Sequence, residues 1–156
     1  MTINNTWAYN MHDHDYKSAQ YLIRSLVEVA SRGGNFLLNV GPQPDGVIQP
    51  EFQQRLRAIG DWLAVHDDAI YGTTYGPVQG VNGIRTTAKR EMVFVHIFDW
   101  PSAALNVPGI EKKVISAHLL DTGAALQFRQ SETGVEIELP PQAPDPNVSV
   151  VALRTL

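Results

Sequence analysis

The sequence predicts a mixed fold, an α/β segment followed by an all-β segment, and three observations carry that expectation. Apolar residues recur at helical spacing in two stretches of the first half, Ala19 to Ala30 and Phe52 to Val65. Between them, GGNFLLNVGPQPDG contains a run that is apolar on both faces, as a central strand of a parallel sheet is. Beyond Gly72 to Pro77 the helical period disappears, and short β-rich runs alternate with Gly, Pro and Asp.

The elements follow in order. Thr2 to Trp7 reads as a short strand, followed by a polar loop from Asn10 to Asp15. Ala19, Leu22, Ile23, Leu26, Val27 and Ala30 then form one wide apolar stripe of a helix. Asp15 or Ser18 can cap its start, and Gly33-Gly34 ends it where a left-handed residue is wanted. Phe36, Leu37, Leu38 and Val40 read as a strand buried on both faces. After the GPQPDG loop, Pro50 suits the first turn of a second helix. Its apolar face is Phe52, Leu56, Ile59 and Leu63, widened by Trp62 and Val65. The first region is therefore β-α-β-α.

In the second region the expected strands are Met92 to Phe98, Val114 to Leu120, Ala125 to Gln130, Val135 to Leu139 and Val148 to Leu153, with Ile84 to Thr87 as another. Val135, Ile137 and Leu139 alternate with Glu136 and Glu138, the pattern of a strand with one wet face. Strands of this kind predict a small antiparallel sandwich. The expected division is residues 1–72 and 73–156.

A parallel sheet needs both faces covered and neighbours on both edges of its inner strands. Two β-α units supply two strands, too few to enclose Phe36 to Val40 and also bury two helix stripes. The first region is therefore expected to pack on another chain or to be the tail of a larger domain. A closed (β/α)8 barrel takes about 250 residues, and its last two units would look like residues 1–72. A start at Met1 in the middle of such a sheet is what truncation, an internal start or a split gene would give.

Composition narrows the functions. The chain has 156 residues, of which 44% are hydrophobic and 18% charged, the balance of a globular protein. A net charge of -4 gives no electrostatic reason to expect nucleic acid or an anionic membrane as partner. No apolar run is long enough to cross a bilayer, and MTINNTWAYN lacks the charged and apolar regions of a signal peptide. The absence of cysteine removes disulfides, thiolate metal sites and cysteine nucleophiles, and leaves the compartment open.

Three stretches carry a resemblance: TINNTWAYN, SRGGNFLLNVGPQPDGVIQPEFQQRLRAIGDWLAVHDDAIYGT and LLDTGAALQFRQSETGVEIELPPQAPDPNVSV. Together they resemble the C-terminal part of the retaining α-L-fucosidases, which are glycoside hydrolases. The resemblance implies that residues 1–72 are the final β/α units of a catalytic (β/α)8 barrel and that residues 73–156 are the β-sandwich that follows it. It implies a fucose-containing glycan as substrate of the complete enzyme, the missing barrel portion as partner, and no cofactor. Where that family typically reads Trp-Gly-Tyr-Asn, this chain has Trp7-Ala8-Tyr9-Asn10. If the backbone at Ala8 needs a positive φ, the loop must shift.

In a barrel enzyme the working face lies at the C-terminal ends of the strands, here the loops Thr6 to Tyr16 and Gly41 to Pro50. Retaining glycosidases need two carboxyl groups about 5–5.5 Å apart. The resemblance places both on earlier strands, so no catalytic residue is assigned here and the isolated chain is expected to be inactive. Trp7 is the candidate for substrate contact, because an indole face can cover the C–H surface or methyl group of a deoxy sugar. The resemblance puts an aromatic residue of the sugar pocket at this position. The alternative is a tryptophan that packs the barrel rim.

Other polar groups read as structural. His12-Asp13-His14-Asp15 contains ligand types, but neighbouring residues seldom converge on one ion and no partner set accompanies them, so no metal site is assigned. His96 and His118 lie in apolar strands and read as core or rim residues. Asp45-Gly46 is a turn signal, although Asp45 could face the active-site mouth. Asn39 ends the apolar strand at the same face, where its amide could orient a loop or meet a hydroxyl. Trp62 and Trp100 read as core or interface, and Asp67-Asp68 as a solvated turn. A non-catalytic alternative is a β-sandwich that binds carbohydrate or docks a partner, with the helical part as its platform.

Overall fold

A computed structural model describes residues 1–102 and 104–156. Two helices come first, α1 (Ala19–Ser31) and α2 (Pro50–His66), the second continued by a single 3-10 turn, Asp67–Ala69. Eight strands follow: β1 (Thr74–Tyr75), β2 (Ile84–Lys89), β3 (Met92–Ile97), β4 (Ala104–Pro108), β5 (Val114–Leu119), β6 (Phe128–Ser131), β7 (Gly134–Glu138) and β8 (Ser149–Thr155). They form a five-stranded sheet ordered β1-β2-β3-β8-β5 and a three-stranded sheet ordered β4-β7-β6, antiparallel throughout. The antiparallel β domain is therefore as the sequence predicts. Strands β1 and β4 are additional, and β6 begins later than Ala125, which makes only an isolated bridge to His118.

The register of β3 against β8 explains why MVFVHIF is apolar at nearly every position. Phe94 pairs with Ala152, Val95 with Val151 and His96 with Val150, so successive pairs face opposite sides of the sheet. Val93, Val95, Ile97, Val151 and Leu153 point into the sandwich core, where they meet Leu105, Val107, Val135 and Ile137 of the smaller sheet. Phe94, Val150 and Ala152 point the other way, into a second core with Leu22, Ile23 and Val27 of α1 and Phe52, Ile59 and Trp62 of α2. Helices, large sheet and small sheet are thus three stacked layers.

Helix α1 begins where the Ser18 hydroxyl accepts the Tyr21 amide at 3.1 Å, so Ser18 is the cap and Asp15 is not. It ends as Gly33, at φ +71°, turns its amide onto the Ala30 carbonyl at 2.9 Å, while the Gly34 amide reaches Val29 at 2.9 Å. Pro50 occupies the first turn of α2. The stripe on α2 is narrower than the sequence implied: Leu56 and Val65 are 39% and 46% exposed. Trp62 and His66 take the buried face instead, because the sheet lies on that side.

Three expectations need correction. Thr2 to Trp7, which bends at Ile3 to Asn5 and again at Trp7, and Phe36 to Val40 meet at one parallel bridge, Thr2 to Asn39, rather than forming strands. A ladder of two short segments lacks the neighbours that sustain a parallel sheet. The helix stripes, expected to lack cover, are sealed by this chain's own sheet, together with Ile3, Leu38 and Val40. Phe36 to Val40 is not buried on both faces, for Leu37 is 72% exposed.

Candidate functional site

The parallel bridge sends the residues after Thr2 and those after Asn39 in one direction, so the loops Thr6 to Tyr16 and Gly41 to Pro50 lie at the same end of the pair. The first loop is folded by its own carboxylates. Asp13 Oδ2 accepts the Asn5 amide at 2.9 Å, Asp13 Oδ1 accepts the Asp15 amide at 3.3 Å, and Asp15 Oδ2 accepts Asn5 Nδ2 at 3.1 Å. Lys17 closes the loop base, its amide on the Ile3 carbonyl at 2.8 Å and its ammonium on the Asn4 carbonyl at 2.9 Å. Asp13 and Asp15 of the HDHD run therefore brace the loop from within. Among the described residues no group of three or more His, Cys, Asp or Glu converges as a metal site.

Trp7 stands on this loop, 60% exposed. Two groups of the second segment hold its backbone. Asn39 Nδ2 donates to the Trp7 carbonyl at 2.7 Å, which gives Asn39 the loop-orienting role that its sequence position allowed. Gly41 lies against the next peptide: a Cβ there would come within 2.6 Å of Ala8 C and 2.5 Å of Tyr9 N. Ala8 carries no conformational penalty, since Arg90 is the one non-glycine residue with positive φ among the described residues. The alanine in Trp7-Ala8-Tyr9-Asn10 thus leaves the loop unstrained.

The second loop turns on Asp45, whose Oδ1 accepts the Val47 amide at 3.0 Å, and on Gly46 at φ +85°. This is the turn role expected of Asp45. Between the loops lies a small cleft lined by Tyr9, Asn10, His14, Gln43, Gln49 and Glu51, among others. Gln49 is buried and donates to the Tyr16 hydroxyl at 2.9 Å, and the Tyr16 ring stands edge-on to Phe52 and under the Arg55 guanidinium. The cleft floor is thereby tied to α2. Its polar lining suits hydroxyl groups, and its described lining offers one carboxylate, Glu51. Two would be required for retaining glycoside hydrolysis. Gln43, Gln49 and Glu51 belong to no motif of their own in the sequence; their signal is their place in and beside the GPQPDG loop.

None of the remaining candidates lines this cleft. Trp62 is buried, donates from Nε1 to the Val148 carbonyl at 2.8 Å and stacks on His66 at 4.5 Å between ring centroids. His66 Nε2 is 2.9 Å from Asp121 Oδ1. Trp100, partly buried, donates to the Pro140 carbonyl at 3.0 Å. His118 is half-buried in β5, and Asp67 and Asp68 are exposed. His96 lies wholly inside the core between α2 and the sheet, remote from the loops in burial and partners.

Comparison with known proteins follows the same residues. The profile of the family described as "Alpha-L-fucosidase" matches residues 1–68. The α-L-fucosidase of Branchiostoma floridae is 34% identical over 132 residues, covering 81% of this chain and 29% of that protein. The human plasma α-L-fucosidase is 34% identical over 152 residues, 90% of this chain and 32% of that protein. Among solved structures, α-L-fucosidase isoenzyme 1 from Paenibacillus thiaminolyticus superposes with a TM-score of 0.93 at 31% identity, over 100% of this chain and 39% of its own. The Thermotoga maritima α-fucosidase in complex with fucose gives 0.85 at 30% identity, over 98% and 38%. This chain therefore spans about a third of the length of the relatives it matches.

Proposed function

This chain belongs to the α-L-fucosidase family, and from that premise we propose that it is the C-terminal segment of an enzyme that hydrolyses terminal α-L-fucosides with retention. In this proposal residues 1–72 are the last β/α units of a (β/α)8 barrel and residues 73–156 are the sandwich that backs them. The catalytic carboxylates come from sequence that precedes this segment in its relatives' fold, and the rest of the barrel is its partner. A solved Bacteroides thetaiotaomicron relative was trapped as a covalent intermediate, the species that retention requires.

The observation that carries the proposal is the Thr2–Asn39 bridge. It is parallel, with α1 between its two residues, and it turns Trp7 and the GPQPDG loop to one end, as β/α units of a barrel do. Trp7 is the substrate contact, its indole face covering the methyl and C–H surface of fucose. The alternative of a sugar-binding sheet face is disfavoured because α1 and α2 cover one face of the larger sheet and the smaller sheet covers the other.

The test joins this chain to the remaining barrel units, by co-expression or fusion, and assays an aryl α-L-fucoside. Activity from the pair and none from this chain alone is expected. Turnover by the pure 156-residue chain would overturn the proposal.

A further inference from the structure

The Trp7 loop is gripped from the neighbouring segment at two consecutive residues, and neither grip is a regular feature of a turn. The first is a hydrogen bond. The Trp7 carbonyl can only accept, so the Asn39 amide must present Nδ2–H to it, and the 2.7 Å distance fixes which way the amide points. Asn39 is in turn fixed by its backbone, whose amide donates to the Met1 carbonyl at 2.9 Å within the parallel bridge. The second grip is an absence of volume. Gly41 is buried and not at positive φ, so glycine is required there for space and not for conformation. The Ala8–Tyr9 peptide fills the space its missing side chain leaves. From inside the loop, the Thr6 hydroxyl lies 3.0 Å from the Ala8 carbonyl and adds a third restraint.

We propose that Asn39 and Gly41 are positioning residues that hold the Trp7–Tyr9 backbone and thereby set where the Trp7 indole meets the sugar. Trp7 itself is largely exposed and has little side-chain packing to fix it. Its placement depends on its backbone, and the backbone depends on these two residues. An aromatic platform held in this way binds a sugar without first paying to order its loop. The part of this inference that concerns sugar rests on the role proposed for Trp7; the clamp on the loop does not.

The loop is tested first in the 156-residue chain by NMR relaxation. Asn39→Ala removes the donor, and Asn39→Asp keeps the shape but offers only acceptors at neutral pH. Both are expected to lower backbone order parameters at Ala8 and Tyr9 from about 0.85 to below about 0.6, with the amide shifts of Leu22, Ile23 and Val27 in α1 unchanged. Unaltered order at Ala8 and Tyr9 in both variants overturns the clamp. Should either variant lose the α1 signals, Gly41→Ala decides: displaced Ala8 and Tyr9 resonances support the clamp, and unmoved ones overturn it.

The second arm uses this chain combined with its barrel portion and an aryl fucoside. Asn39→Ala is expected to raise KM about tenfold, the scale of one lost hydrogen bond, with kcat less affected. In a Trp7→Ala background the same substitution should change KM less than about twofold, because coupled residues are not additive. Full additivity of the two substitutions overturns the positioning role. If Trp7→Ala alone leaves KM unchanged, the sugar role of Trp7 fails, while the relaxation result still decides the clamp.

Discussion

His96 Nε2 lies 3.0 Å from Thr87 Oγ1, at the centre of the layer between the helices and the larger sheet. The Thr87 hydroxyl gives its one proton to the Ala69 carbonyl at 2.7 Å, so it can only accept from the imidazole. His96 is therefore the neutral Nε2–H tautomer. Its Nδ1 has no partner among the described residues. Adding a proton there would bury an uncompensated charge. Burial, with the charge of nearby His66 as a lesser cause, pulls the His96 pKa down to about 3.

This makes the fold sensitive to acid. In the unfolded chain a histidine takes up its proton near pH 6.5, whereas His96 in the fold resists until about pH 3. Between those values the unfolded state binds more protons, so stability falls as pH falls, and above about pH 6.5 the histidine contributes no slope. The expected contribution is about 1.4 kcal/mol per pH unit within the window. Urea unfolding at pH 7.5, 6 and 5 checks it, with His96→Leu as the control that should flatten the dependence. Equal slopes for the two proteins would rule His96 out as the source.

Glu28 supplies a second, shallower acid dependence. Burial raises its pKa, but hydrogen bonds and charge from Arg85, and then from Arg32, outweigh this and hold the carboxyl below its ordinary value. A lowered carboxylate pKa contributes stability above the unfolded value and loses it as pH drops through the folded one. The Arg85 pair joins α1 to β2, yet both side chains are more than a quarter exposed. Glu28→Gln is therefore expected to cost only about 1 kcal/mol at pH 7, and less at pH 4. A loss that does not shrink on acidification would show that packing, rather than charge, is what the substitution removes.

Trp62 ties α2 to the strand entering β8. Replacing it with Phe keeps a ring against His66 but strips the donor from the Val148 carbonyl, which lies in a buried segment. An acceptor left without a partner in the interior costs about 1–3 kcal/mol. Urea unfolding of Trp62→Phe should show a loss of that size. A loss below about 0.5 kcal/mol would mean that water or backbone relaxation satisfies Val148.

What the sequence reveals about this fold follows from how local the cause is. Helix α1 is legible because its stripe, its Ser18 cap and its Gly33 stop are all encoded within a few residues. The antiparallel strands are legible from alternation and from Gly and Pro between them. Strand β4, ALNVP, is not, since Asn and Pro weaken its β signal and only pairing with β7 makes it a strand. Leu56 and Trp62 show the same limit: both lie on an apolar stripe, and only the position of the sheet decides that Trp62 is covered and Leu56 is not. At the candidate site, Trp7 is legible through family resemblance and Asn39 through its place in the apolar run before the GPQPDG loop. The bond between them spans 32 residues and has no local signature. Gly41 reads as half of a Gly-Pro turn, while its role is to leave room for a peptide from another segment.

Leu37 separates what this chain needs from what its neighbours would need. Leu38 and Val40 pack into the core beside Ile3, but the Leu37 side chain projects away from it and contributes little to the fold of the segment. Leu37→Ser should therefore change the stability of the chain by no more than about 0.5 kcal/mol, as surface substitutions usually do. Within an assembled barrel the same leucine would face the adjoining units, where losing a buried Leu side chain costs about 1.5–3 kcal/mol. Association of the two pieces, followed by recovered fucosidase activity against partner concentration, should weaken by at least about tenfold, since 1.4 kcal/mol corresponds to that factor. A variant that assembles as tightly as the parent would show that this side of Phe36 to Val40 faces solvent in the complete enzyme, and that the second segment is an edge and not an inner strand.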